Sequence, residues 1–225
     1  MSRRARVALK AAVWLVALAP LAGLLYGFWA DDLTVNPIEY VTRTLGETAL
    51  QLLLASLALT PLRLLFGIGW PLTLRRLLGL FAFFYLALHF STYALLDLGL
   101  LYEPGLAWET LLVDIAERPY ITVGFTALLL LIPLAATSTR AMQRRLGRKW
   151  AKLHRLVYVV AVLGVVHYYW QVKSDLDFAE PLLYAFLLTV LLGVRLRHWL
   201  VHAKPAVTAP YQRVEPPQAR EKPSH

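Results

Sequence analysis

The stretch that decides the fold covers residues 152–175 and reads KLHRLVYVVAVLGVVHYYWQVKSD. Its middle, residues 156–166, is almost wholly apolar, and three aromatic residues follow at positions 168–170. An apolar run with an aromatic belt at one end predicts a membrane-spanning helix. His154 and His167 flank the run, and 13 residues of α-helix would separate them by about 20 Å. A histidine inside a membrane helix marks a candidate functional site, and these two would lie at different depths.

The composition of the chain indicates the same class of protein. Of its 225 residues, 58% are hydrophobic and 16% are charged, whereas soluble domains carry about 25% charged residues. The absence of cysteine excludes disulfides, iron–sulfur clusters, thiolate metal sites and covalently attached haem. We therefore predict an all-α polytopic membrane protein, a six-transmembrane-helix bundle. The other five spans are predicted at residues 11–29, 48–66, 77–96, 120–136 and 181–194.

Polar segments divide the chain further. Residues 1–10 are predicted to be a cytoplasmic N-terminal tail, and residues 201–225 a disordered cytoplasmic tail. The first span is too long for a signal-peptide core, so we expect it to be retained. Loops are predicted at 31–47, 97–118 and 137–152. The loop at 97–118 is long, acidic and partly aromatic, which suits a docking surface for another protein.

The charge distribution predicts the orientation in the membrane. The net charge is +9, and all of the 23 basic residues except Arg43, Arg118 and Lys173 fall on the side that holds both termini. All of the 14 acidic residues except Glu215 and Glu221 fall on the opposite side. The positive-inside rule then places both termini in the cytoplasm. Because the basic excess follows topology, no nucleic-acid partner is expected.

A third intramembrane histidine lies at the same predicted depth as His167. His89 follows Arg76 by the same number of residues as His167 follows His154, and both helices run in the same direction. Two imidazoles that face each other across a helix bundle are what a bis-histidine haem needs. The pattern alone leaves two alternatives open, a proton or ion relay and a structural hydrogen bond between helices.

Nearby residues fit the haem hypothesis. Gly164, one turn before His167, would let a flat porphyrin approach the helix. Tyr85 and Tyr93 lie one turn to either side of His89, and we expect them to pack on the ring or to bond a propionate.

Six segments carry a more specific resemblance: NPIEYVTRTLGETAL (36–50), TPLRLL (60–65), LRRLLGLFAFFYLALHFSTYALLD (74–97), RPYITVGF (118–125), RRLGRKWAKLHRLVYVVAVLGVVHYYWQVKSD (144–175) and EPLLYA (180–185). They resemble the ferric-reductase-like transmembrane family, in particular the haem-binding membrane subunits of bacterial periplasmic methionine-sulfoxide reductase systems. The resemblance implies that residues 11–200 form a ferric-reductase-like transmembrane haem domain in the bacterial inner membrane. It implies haem b and FMN as cofactors and quinol from the respiratory chain as electron donor. It also implies a periplasmic molybdopterin catalytic subunit, MsrP, as partner, which repairs oxidised methionine in periplasmic proteins.

The residues that match the family's ligand positions are His89, His154 and His167. Two-haem ferric reductases carry a histidine pair on each of the third and fifth helices, but here arginine replaces the inner histidine of the third helix. The resemblance therefore implies one haem, with His89 and His167 as its iron ligands. His154 is left with three possible roles: ligand of a second, weaker haem, alternative ligand, or part of a flavin or quinol site. The arginines beside it could neutralise haem propionates or a flavin phosphate.

The source of electrons is also predicted. We find no glycine-rich dinucleotide-binding unit, so we expect a separate donor, either quinol or a cytoplasmic flavoprotein. The alternative function is a haem-independent proton or ion transporter that uses the intramembrane histidines.

Overall fold

The computed structural model describes residues 2–172 and 178–202. Within them every regular element is helical: α1 (Arg3–Trp29), α2 (Pro37–Phe66), α3 (Arg75–Thr92), α4 (Pro104–Glu117), α5 (Pro119–Ala136), α6 (Arg140–Leu146), α7 (Arg148–Leu153), α8 (Leu156–Val172) and α9 (Ala179–His202). A 3₁₀ segment, Trp70–Leu74, leads into α3. A π-helical turn, Tyr93–Asp97, extends its far end.

Six helical stretches of the described residues are long and apolar enough to cross a membrane. They are Arg3–Trp29, Pro37–Phe66, Trp70–Asp97, Pro119–Ala136, Arg148–Val172 and Ala179–His202. This confirms the predicted all-α, six-span membrane protein. We call the side that holds residues 63–76, 137–155 and 195–202 the basic side, and the other the acidic side.

Two helix pairs form the centre of the bundle. α2 packs along α3, and α5 packs along α8. Leu57, Ala82, Leu131 and Ala161, one from each of these helices, belong to one buried apolar cluster. α9 closes this cluster by packing on α2 and α8. The two pairs therefore meet over a continuous apolar contact.

α1 lies on the outside of the first pair. The Tyr85 hydroxyl of α3 is buried and donates a hydrogen bond of 2.6 Å to the carbonyl of Ala17. Trp14 meets Phe81 edge-on, with 4.7 Å between ring centroids. Tyr85 thus faces α1, and the expectation that it packs on a cofactor beside His89 is wrong, since its hydroxyl already has a partner on another helix.

The segment predicted as a loop at 31–47 is largely helical, because α2 begins at Pro37. The side chain of Asn36 accepts a hydrogen bond from the Glu39 backbone N–H, and proline suits the first turn of a helix. Glu39 and Arg43 form an ion pair of 3.1 Å one turn apart. Because this first turn is polar, the apolar pattern did not show that the helix begins well before the predicted span at 48–66.

Other boundaries also differ from the sequence prediction. α1 begins at Arg3, capped by Ser2, so most of the predicted tail 1–10 is helical. α9 continues to His202 instead of ending near residue 194. The predicted loop at 97–118 contains α4. The predicted loop at 137–152 is largely formed by α6 and α7. Residues 173–177 and residues 203–225 of the predicted disordered tail lie outside the described residues.

The fifth span is broken and does not form one helix. α7 ends at Leu153, His154 and Arg155 form a turn, and α8 begins at Leu156. The indole N–H of Trp150 donates to the carbonyl of Thr137 at 3.0 Å, which ties α7 to the end of α5. The 20 Å separation of His154 and His167 therefore cannot be taken from the rise of a single helix.

Candidate cofactor site

His89 on α3 and His167 on α8 face each other between the two helix pairs. Their ring centroids lie 6.1 Å apart, and their planes are inclined by 83°. Both line the same cavity. The structure therefore brings together the two histidines that the sequence placed at equal depth.

A backbone carbonyl fixes each imidazole through Nδ1. Nδ1 of His89 lies 2.8 Å from the carbonyl oxygen of Thr42 on α2, and Nδ1 of His167 lies 2.7 Å from that of Tyr120 on α5. A carbonyl only accepts, so Nδ1 carries the proton in each neutral ring. The lone pair is then at Nε2, which is the arrangement of a metal-ligating histidine.

A glycine makes each of these contacts possible. Gly46 and Gly124 each lie one helical turn after the carbonyl that the histidine binds. A Cβ at Gly46 would lie 2.9 Å from Nδ1 of His89, and one at Gly124 would lie 2.7 Å from Nδ1 of His167. Any side chain at either position would push the imidazole away, so both positions require glycine.

The two halves of the site repeat each other. The histidine follows its carbonyl partner by 47 residues in both cases, and the glycine stands four residues after that partner in both. The pair α2–α3 thus supplies one imidazole in the same way as the pair α5–α8 supplies the other. The sequence analysis missed Gly46, Gly124, Thr42 and Tyr120, although the equal spacing was a signal that could have found them.

The cavity between the histidines has a volume of about 400 Å³, within the range of roughly 300–1,000 Å³ for ligand pockets. Its walls are apolar and include Leu50, Leu53, Leu128, Val160 and Gly164. A flat, apolar ring is the kind of group that such walls accept. Gly164 lines this wall, as the sequence analysis expected of it.

Charged residues form the mouth of the cavity on the acidic side. Arg43 and Arg118 both line it. Arg118 pairs with the buried carboxylate of Asp114 at 3.0 Å, and the Tyr93 hydroxyl donates to the same carboxylate at 2.5 Å. The hydrogen bond to Tyr120 and the charge of Asp114 raise the pKa of Arg118, so it stays cationic. The charges at the mouth are mixed, because three carboxylates also line the cavity, those of Glu39, Glu47 and Asp97.

A second polar group lines the cavity near the mouth. The Tyr168 hydroxyl donates to Glu180 at 2.6 Å and lies 3.1 Å from a carboxylate oxygen of Glu47. A phenol has a single proton, so it cannot donate to both carboxylates at once. The three side chains connect α2, α8 and α9 at this end of the bundle.

The geometry fits the axial positions of a haem iron. Two metal–nitrogen bonds of about 2 Å, together with two ring half-widths of roughly 1 Å, correspond to ring centroids about 6 Å apart. The observed separation between His89 and His167 is 6.1 Å. The neutral imidazoles and the apolar walls fit a haem, whose ring is apolar.

His154 lies elsewhere. It does not line the cavity of His89 and His167. Its ring stacks on Trp150 with 3.9 Å between centroids, and its Nδ1 lies 3.1 Å from the Trp150 carbonyl oxygen. His198 and His202 are exposed on α9. The structure thus brings together two of the three histidines proposed for cofactor binding and separates the third.

Comparisons with known proteins agree with this architecture. The family described as "Ferric reductase like transmembrane component" matches residues 45–165. A relative from Ralstonia nicotianae named "Protein-methionine-sulfoxide reductase heme-binding subunit MsrQ" is 51% identical over 189 residues, 84% of each chain. The chain belongs to the MsrQ family of ferric-reductase-like membrane proteins.

Other MsrQ proteins match over a similar length. The one from Rhodospirillum rubrum is 54% identical and covers 82% of this chain and 86% of its own. The one from Herminiimonas arsenicoxydans is 45% identical and covers 83% and 84%. No solved structure gives a significant match. The family match of residues 45–165 includes Gly46, His89, Gly124 and His154, and it ends two residues before His167.

Proposed function

We propose that this chain is the haem-binding membrane subunit of a protein-methionine-sulfoxide reductase system, with His89 and His167 as the axial ligands of haem b. One observation carries the proposal: the two imidazoles face each other at 6.1 Å with both Nδ1 atoms held by backbone carbonyls. The names of the MsrQ relatives describe haem-binding subunits of this kind.

The residues of the chain have distinct roles in this proposal. The carbonyls of Thr42 and Tyr120 orient the imidazoles, and the apolar walls exclude water from the iron. Arg43 and Arg118, which line the mouth beside Glu39 and Asp97, would hold the propionates. When bound, haem b supplies a one-electron couple between ferric and ferrous iron. FMN, which the family resemblance implies, is proposed as a second cofactor.

Electrons pass from quinol in the bacterial inner membrane to the periplasmic catalytic subunit MsrP. Quinol oxidation releases two electrons and two protons, and two electrons with two protons convert methionine sulfoxide to methionine and water. Both termini lie in the cytoplasm, because the basic side faces inward under the positive-inside rule. The cavity mouth then opens toward the periplasm.

The exposed face of α4 beside this mouth is the proposed docking surface for MsrP. α4 carries Asp114, which pairs with Arg118 at the mouth. Leu106, Trp108 and Leu112 of the same helix are exposed. A partner that covers them would lie close to the cavity, which suits electron transfer out of the membrane.

The alternative of a proton or ion transporter fits the geometry less well. A relay through an imidazole needs both ring nitrogens to exchange protons with neighbours that also donate and accept. Nδ1 of His89 and Nδ1 of His167 each bind a carbonyl, which cannot pass a proton on. Such fixed rings suit ligands of a metal.

The visible spectrum of the purified protein tests the proposal. We expect reducible b-type absorbance that His89→Ala and His167→Ala each remove. His198→Ala, at an exposed position on α9, serves as the control and keeps the spectrum. Reconstituted with quinol and MsrP, the wild type should sustain reduction of methionine sulfoxide. A colourless, folded protein, or an unshifted spectrum in His89→Ala, contradicts the assignment.

A further inference from the structure

A buried carboxylate at the acidic end of the bundle contacts both helix pairs. Asp114 lies on α4, which belongs to neither pair, and its side chain is almost fully buried. One of its oxygens accepts a hydrogen bond of 2.5 Å from the Tyr93 hydroxyl, in the π-helical turn that extends α3. The other accepts from Nε of Arg118, the N-cap residue of α5, at 3.0 Å. Asp114 thus joins the end of α3 to the start of α5.

The contact with Tyr93 lies one helical turn from His89. The backbone N–H of Tyr93 donates to the carbonyl of His89, and its side chain lines the same cavity as the two histidines. A phenol has a single proton, and Asp114 accepts it. This hydrogen bond therefore holds the end of α3 that carries His89 against α4.

The contact with Arg118 lies two residues before Tyr120, whose carbonyl oxygen is 2.7 Å from Nδ1 of His167. The carbonyl of Arg118 accepts from the Thr122 N–H at 3.2 Å, which starts the first turn of α5. The Thr122 hydroxyl also donates to the Ile115 carbonyl of α4 at 2.5 Å. The turn that carries the Tyr120 carbonyl is therefore tied to α4 by a side chain at each of two positions.

The angle between the imidazole planes depends on how the two helix pairs are held together. The carbonyls of Thr42 and Tyr120 fix each ring relative to its own pair only. Contact between the pairs is largely apolar, and apolar burial has no preferred direction, whereas hydrogen bonds do. A second polar link at this end, between Tyr168 and Glu47, involves partly exposed side chains. The buried carboxylate is therefore the stronger directional contact.

We propose that Asp114 is a positioning residue that sets the angle between the imidazole planes of His89 and His167. The inference rests on the proposed function, because it concerns the iron that these two rings would bind. Asp114 does not line the cavity itself, so it acts through Tyr93 on α3 and through Arg118 on α5. A carboxylate that only anchored α4 would contribute to stability but would not affect the angle.

Two variants remove the hydrogen bond with little change in shape. Tyr93→Phe deletes only the hydroxyl and changes no charge. Asp114→Asn keeps the size of the side chain and removes its charge. Glu117→Gln, at an exposed position on the same helix, is the matched control, because it also replaces a carboxylate by an amide. Haem content reports folding, and Tyr93→Phe alone decides the test where Asp114→Asn does not fold.

Electron paramagnetic resonance of the ferric protein reports the angle. The largest g value of a low-spin haem with two imidazole ligands falls as their planes turn from perpendicular toward parallel. Since the planes start at 83°, we expect Tyr93→Phe and Asp114→Asn to lower that g value at unchanged haem content. Glu117→Gln should leave it unchanged. The double variant should shift it no further than Asp114→Asn alone, because both changes remove the same hydrogen bond.

An unshifted g value in either folded variant refutes the inference, even where the variant is less stable than the wild type. A double-variant shift equal to the sum of the two single shifts also refutes it, since Tyr93 and Asp114 would then act independently. The wild type distinguishes these results from a failure of the proposed function. If the wild type gives no low-spin signal of two imidazole ligands, the proposed function and this inference both fail.

Discussion

The imidazole plane of His89 is inclined by 83° to that of His167 across a centroid separation of 6.1 Å. The carbonyls of Thr42 and Tyr120 hold the two rings in this orientation. Because each ring has its own carbonyl partner, neither can rotate without the loss of its hydrogen bond.

The inclination of the two rings predicts the electron paramagnetic resonance spectrum of the ferric protein. Perpendicular axial imidazoles leave two iron d orbitals nearly equal in energy, which gives a highly anisotropic low-spin signal with one large g value. We expect that signal in a frozen sample of the purified wild-type protein. A rhombic signal of the kind given by parallel imidazoles would contradict the geometry.

Alanine at either close-contact glycine should weaken haem binding. A Cβ at Gly46 or Gly124 would lie 2.9 Å or 2.7 Å from the Nδ1 of its histidine, and metal sites tolerate shifts of only about 0.2 Å. Loss of such supporting contacts lowers metal affinity roughly 10–100-fold. Haem titration of the apoprotein measures the effect. Gly79→Ala on α3 is the control, because its Cβ would meet only Ser56 Oγ, at 3.7 Å.

His154→Ala should leave the haem held by His89 and His167 unchanged. His154 does not line their cavity, and its own contacts are to Trp150. The position and amplitude of the reduced absorbance band should therefore equal those of the wild type. Loss of the band in this variant would show that the third histidine is an axial ligand after all.

Asp114→Ala should destabilise the acidic end of the bundle. The buried carboxylate accepts from Tyr93 and pairs with Arg118, and removal of one partner of a buried hydrogen bond costs about 1–3 kcal/mol. Unfolding of the purified protein in denaturant, followed by tryptophan fluorescence, measures the change. Glu109→Ala, at an exposed position on the same helix, should shift the transition by less than about 0.5 kcal/mol.

Topology reporters check the orientation. A cytoplasm-dependent reporter fused after His202 should be active, and a periplasm-dependent one inserted at Gly105 should also be active. The reason is the excess of arginine and lysine on the basic side, which the positive-inside rule keeps in the cytoplasm. Reversed activities would place the cavity mouth in the cytoplasm and separate it from a periplasmic partner.

The sequence predicted the number of spans and the pairing of His89 with His167, because both follow from apolar length and helix register. It missed the start of α2 at Pro37, because the span was predicted from apolar length alone, although an asparagine cap followed by proline is a helix-start signal. The break between α7 and α8 at His154 was not predicted either. The sequence does not show the role of Gly46 and Gly124, because it depends on the imidazoles that contact them in the fold.

Tyr85 shows a different limit of the sequence argument. Its spacing from His89 is correct for the same helix face, yet its hydroxyl binds the Ala17 carbonyl of α1. Spacing along one helix cannot tell which neighbouring helix covers which part of its surface. Arg195 lies just beyond the last span predicted at 181–194, and nothing in the sequence reveals that its guanidinium donates to Leu57 of α2.

The repeated arrangement of carbonyl, glycine and histidine has a consequence for biogenesis. Each helix pair orients its own imidazole with its own backbone, so neither half needs the other in order to prepare its ligand. During synthesis the first hairpin can therefore be complete in the membrane before α5 leaves the ribosome. Haem added afterwards would join two helix pairs that already hold their imidazoles in place.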